Sequence, residues 1–140
     1  TPADLARHGV RVIAVGAEVP ITRYASRLIA NLATLDGYPV DFAAAYDANV
    51  VSREDNVAAV VAKIELGEGD AAIVYATDAA TSDAVAVVGI PPAANVRATY
   101  AGVVIRASTE PDAARAFLDW LVGADGQAIL GEAGFLPPPS

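Results

Sequence analysis

Hydrophobic positions along this 140-residue chain switch period several times, between the short apolar runs of strands and the three-and-four spacing of a helix face. Residues 11–15 form the first run, turned by Gly16, Ala17 and Glu18. Ile21, Tyr24, Ala25, Leu28, Ile29 and Leu32 then fall on one stripe, which predicts a helix stopped by Asp36 and Gly37. Residues 40–44 read as a second strand. Residues 54–66 read as a helix with Val57, Val60, Val61 and Ile64 inward and Gly67 and Gly69 past its end. Residues 71–75 are apolar throughout and are expected to form a central strand. Two further strands are expected over 84–88 and 97–106, on either side of a loop holding Pro91 and Pro92. Two helices follow, 110–121 with Pro111 in its first turn after Ser108 and Thr109, and 124–131, before an extended tail over 134–139. This alternation is the pattern of an α/β fold, a mostly parallel sheet flanked by helices.

Composition narrows what such a fold can do. At 140 residues, 54% apolar and 19% charged, the chain is long enough for a core and holds no apolar run near the ~20 residues a membrane span needs. The first residues, from Thr1 to Leu5, show no basic region leading into an apolar segment, so no export signal is expected within them. A net charge of −8 without a Lys/Arg cluster argues against nucleic acid as a partner. It leaves small anions open, because helix N-termini bind oxyanions through local dipoles whatever the global charge. The absence of cysteine and the single histidine, His8, exclude thiolate chemistry and any histidine-rich metal centre.

Three positions stand out as anion contacts. Pro20 suits the first turn of a helix, while Val19 before it has no side-chain acceptor, so the amides of Ile21 and Thr22 are candidate donors; water or the Thr22 hydroxyl could serve them instead. The helix after residue 54 has two competing starts. Ser52 as cap, with Asp55 three residues on, would bury the Val57 amide in a helix bond, whereas Asp55 as cap would leave Asn56 and Val57 in the first turn with the Val57 amide unpaired. Tyr75 ends an apolar run and turns into Thr77 and Asp78, residues that commonly cap a turn.

These segments, in this order, resemble the C-terminal half of the molybdate-binding proteins that feed ABC importers. Val19-Pro20-Ile21-Thr22-Arg23-Tyr24-Ala25 looks like that family's Val-Pro-x-Gly-x-Tyr-Ala, with Thr22 in place of the usual glycine. Glu54-Asp55-Asn56-Val57 resembles its acidic helix opening, and Ala72-Ile73-Val74-Tyr75-Ala76-Thr77-Asp78-Ala79 its tyrosine strand. Phe117 to Leu121, Gly126 to Leu130, and Gly134 with Phe135 look like the end of the wider class of two-lobed binding proteins.

The resemblance implies one lobe of a type II periplasmic-binding-protein fold, with residues 1–109 as the ligand-binding lobe and 110–140 as helices that pack partly on a first lobe missing from this chain. It implies a molybdate or tungstate ligand held by the Ile21 and Val57 amides and the Tyr75 hydroxyl, with Thr22 and Asn56 as secondary candidates. No cofactor, no direct protein–metal ligand and no catalysis are expected. The implied partners are an ABC permease and the missing lobe, at the periplasmic or extracellular face of the membrane. Phe117, Trp120, Leu121 and Ile129 would be left exposed, or covered by a second copy in a homodimer. Rival readings are a binding protein for sulfate, phosphate or another anion, and an effector-sensing domain of a transcription regulator.

Overall fold

The computed structural model describes residues 1–138, so the last residue of the expected tail, Pro139, lies outside them. The chain forms two units, Thr1–Ala98 and Thr99–Ser140. Residues 99–109, grouped with the first lobe on sequence, belong to the second of these. Among the described residues no helix is long and apolar enough to cross a membrane.

The first unit is built on a three-stranded parallel sheet of order β2-β1-β3, made of Val12–Val15 (β1), Val50–Glu54 (β2) and Ala71–Ala72 (β3). All four residues of β1 are buried, because the strand is covered on both faces. Val12 points into a core with Leu28, Ile29, Leu32, Phe42, Tyr46 and Ala94. Ile13 and Val15, on the opposite face, pack with Ile21 and Val60 in a second cluster. The helix Ile21–Leu32 (α1) forms as its periodicity predicts, burying Ile21, Leu28, Ile29 and Leu32. At the start of β1, Arg11 grips Asp70 with Nη2 at 2.8 Å and donates to the carbonyls of Gly67 and Glu68, which fixes the entry to β3.

Several expectations are corrected. Residues 40–44 are not a strand: Phe42–Asn49 form a helix (α2), and the second strand is β2, which begins only after that helix, at Val50. Phe42 and Tyr46 are four apart and both buried, and the three alanines after Phe42 are strong helix formers, whereas Val40 is fully exposed. The run from residue 71 pairs only over Ala71–Ala72, and the central strand is β1 rather than this one. Residues 84–88 and 97–106 form no strand; Val87, Val103 and Ile105 are all at least 70% exposed, and β-propensity without a neighbouring strand forms no ladder.

In the second unit the helices Pro111–Val122 (α5) and Ala124–Glu132 (α6) match their predicted spans closely. They pack through Gly126, where a Cβ would lie 2.6 Å from the backbone of Leu121, and Gln127 donates to the Leu121 carbonyl at 2.9 Å. Gly102 lets the preceding segment approach Leu118 in the same way. No residue of α5 is fully buried, and Phe117, Trp120 and Ile129 are exposed as expected, while Leu121 is half-buried.

Phe42 tests the corrected second element. Truncation to alanine removes a fully buried ring and is expected to destabilise the chain by about 3–5 kcal/mol, read from the urea midpoint; a loss below about 1 kcal/mol would place the residue outside the core.

Candidate functional site

Because the three strands run parallel, their C-terminal ends share one edge of the sheet, and each feeds a helix there. β1 leads into α1, β2 into Val57–Glu65 (α3), and β3, through residues 73–75, into the short helix Ala76–Ala79 (α4). In the strand order 2-1-3 the sheet grows to one side of β1 and then to the other, so the order of strand addition reverses between β1 and β3, the position where open α/β sheets bind ligands. Ile21 belongs to the cluster it forms with Ile13, Val15 and Val60, and Val57 and Tyr75 pack against that cluster, so the fold brings the three predicted contacts together.

The first turn of α1 closes through Thr22 N–H to the Val19 carbonyl at 3.0 Å and Arg23 N–H to the Pro20 carbonyl at 3.3 Å, with no side-chain cap. The Thr22 amide is therefore occupied, contrary to expectation, whereas the Ile21 amide meets no acceptor among the described residues. The Thr22 hydroxyl is occupied too, donating to the Gly16 carbonyl at 2.7 Å. A hydroxyl has one proton to give, so Thr22 has no donor left for an anion.

Neither expected start of the next helix is used. Asn56 is the cap, extended in backbone, with its Oδ1 accepting from the Ala59 amide at 2.9 Å. Val57 is thus the first helical residue, and its amide meets no acceptor among the described residues, the outcome that the Asp55 start alone predicted. Ser52 lies instead in β2, hydrogen-bonded to the Glu54 carboxylate. Neither α1 nor α3 carries an acidic residue in its first turn to compete for these donors.

Tyr75 precedes α4, and its own N–H donates to Asp78 Oδ2 at 3.2 Å, so Asp78 caps the turn as predicted. Its ring meets that of Tyr24 edge-on, with centroids 6.1 Å apart at 65°. Sequence reasoning passed over Tyr24 as a site residue, although its place on the α1 stripe already put it on the inner face. Gly16 was also missed as anything but a turn. Its N–H donates to the Glu54 carbonyl at 2.8 Å, while its carbonyl accepts from both Val19 N–H and the Thr22 hydroxyl.

Beside this edge lies a charged network. Lys63 Nζ sits 2.9 Å from Glu54 and 3.1 Å from Ser52 Oγ. Hydrogen bonds from Ser52 and then Lys63 hold the Glu54 carboxyl below its usual pKa, and the bond to Glu54 raises Lys63. Among the described residues no group of three or more His, Asp or Glu side chains is placed to hold a metal ion. A recess of about 360 Å³ lined by His8, Arg11, Asn49 and Val51 lies at the start of β1 instead. It offers few donors, because Arg11 is engaged by Asp70 and Asn49 by the carbonyls of Leu5 and Arg7.

A parallel α/β sheet with unaccepted helix-start amides at the edge where its strands end is the arrangement at which open α/β sheets bind ligands. Residues 1–136 match the family described as bacterial extracellular solute-binding protein, and the chain belongs to that family. It is 32% identical over 137 residues to the molybdate-binding protein ModA of Mycobacterium bovis and to that of Mycobacterium tuberculosis. The match covers 97% of this chain and 48% of each of those proteins, so the chain spans about half the length of the curated relatives it matches. No solved structure matches it.

A carboxyl whose pKa is lowered by folding stabilises the fold above its ordinary pKa, and that contribution disappears as pH falls through the folded value. The raised Lys63 loses its share only as pH rises through the alkaline range. The stability gap between wild type and Glu54→Gln is therefore expected to stay constant between about pH 6 and 8 and to shrink below about pH 4. Urea midpoints across that range measure it; a gap unchanged at about pH 3 would mean Glu54 is not depressed.

Proposed function

We propose that this chain is the C-terminal lobe of the extracytoplasmic substrate-binding component of a molybdate or tungstate ABC importer. The observation that carries this reading is the 32% identity, across 97% of the chain, to proteins named for molybdate binding. The placement of Ile21, Val57 and Tyr75 on one cluster supports it. In this account the Ile21 and Val57 amides and the Tyr75 hydroxyl donate to a dehydrated tetrahedral dianion, and the dipoles of α1 and α3 favour its charge. All three donors are neutral. The remaining donors come from the other half of the parent protein, which closes over the anion and presents it to a membrane permease. Thr22 and Asn56 support the site by holding the two helix starts, and nothing is turned over.

Size separates molybdate from sulfate in such a site, because the two dianions carry the same charge and accept the same hydrogen bonds. Tungstate, nearly the size of molybdate, would bind alike. The test is calorimetric titration of the full-length parent protein with molybdate, with sulfate as competitor. Tight one-to-one binding that excess sulfate does not displace is expected; displacement by sulfate would instead favour a sulfate-type binding protein of the same fold. A hydrogen bond to a charged group contributes about 1.5–3 kcal/mol, so Tyr75→Phe is expected to weaken molybdate binding roughly 10- to 100-fold. An unchanged affinity would remove Tyr75 from the site.

A further inference from the structure

The proposed donors Ile21 and Val57 sit on different helices, which follow different strands, and a short chain of hydrogen bonds joins the two helix starts. The Thr22 hydroxyl, in the first turn of α1, donates to the Gly16 carbonyl at 2.7 Å. Gly16 N–H in turn donates at 2.8 Å to the carbonyl of Glu54, two residues before the Asn56 cap of α3. The same Gly16 carbonyl accepts from Val19 N–H at 3.1 Å, closing the turn that delivers the chain to α1. Gly16 is thus the centre of the link, and Thr22 is its only side-chain contribution. The Thr22 bond is part-buried, where a lost partner is not fully replaced by water.

We propose that Thr22 is a positioning residue which, through Gly16 and Glu54, fixes the spacing between the Ile21 and Val57 amides and thereby the size of the oxyanion selected. This inference rests on the proposed function and adds a mechanism for its selectivity. Two donors on separate helices can discriminate by size only if they cannot follow a smaller anion inward. With α1 free to shift against the turn, the amides close on sulfate as readily as they hold molybdate. With the hydroxyl strap in place, the gap stays at the width that suits the larger ion. Threonine also brings a methyl group that serine lacks, so comparing serine with valine separates the hydroxyl from the volume.

The experiment compares wild type, Thr22→Val and Thr22→Ser in the full-length parent protein. Molybdate and sulfate affinities are measured by calorimetry, and hydrogen exchange of the Gly16 and Val19 amides is followed without ligand. Loss of one part-buried hydrogen bond predicts that Thr22→Val weakens molybdate binding roughly five- to tenfold. Sulfate affinity should rise by about twofold or more, so that the selectivity ratio falls from both sides, and both amides should exchange faster. Thr22→Ser should keep the wild-type ratio and exchange rates. An unchanged ratio in Thr22→Val overturns the inference, and so does an equal loss for both anions accompanied by a lower melting temperature, which marks a merely structural role. If wild type binds neither anion, the proposed function fails and this inference falls with it. Binding with an unchanged ratio overturns this inference alone.

Discussion

Parallel pairing of β1 with both of its neighbours is the constraint on which the rest of the first unit depends. A strand covered on both faces has to be apolar throughout, and Val12 to Val15 meet that demand while dividing two cores between them. Parallel pairing sends every strand's C-terminal end to the same edge, so the helices that follow must all begin there. The starts of α1 and α3 and the turn at Tyr75 are neighbours for that reason, although 36 residues separate Ile21 from Val57 in the sequence. The Arg11–Asp70 pair holds the far end of the same strand, and both ends of β1 are therefore tied to its neighbours by hydrogen bonds beyond the ladder.

The same pairing decides how much of the site could be read from sequence. Ser52, Asp55 and Asn56 are all good caps, and local preference does not choose among them. The ladder does choose: Val15 pairs with Glu54, and Gly16 N–H reaches the Glu54 carbonyl, so the chain is held extended through residue 54 and the helix begins only after Asn56. That start leaves the Val57 amide without an acceptor. Thr22 went the other way. Its hydroxyl could be recognised as a competitor for the helix donors, but its actual acceptor, the Gly16 carbonyl six residues back, is a product of the turn geometry.

Elements with a long, strong period were legible, and those defined by tertiary context were not. α1 carries twelve residues of unbroken helical spacing, and α5 and α6 have proline or glycine at their boundaries. α2 is short and rich in alanine, with only Phe42 and Tyr46 to mark its buried face, and β2 ends in Ser52, Arg53 and Glu54, which look like a helix opening until β1 pairs with them. The expected strands over 84–88 and 97–106 have the right residue types, but strand formation needs a partner that propensity does not supply. Of the five site candidates, Ile21 and Val57 have amides that meet no acceptor among the described residues, whereas Thr22 and Asn56 are engaged in holding the helix starts.

The central claim is that a tetrahedral dianion sits where the first amides of α1 and α3 meet the Tyr75 hydroxyl. The most direct measurement is a crystal structure of the full-length parent protein with tungstate, located by the metal's anomalous scattering. Oxyanion oxygens within about 3 Å of Ile21 N, Val57 N and Tyr75 Oη are the predicted result. An anion bound elsewhere, or held by charged side chains with those three atoms uninvolved, would contradict it.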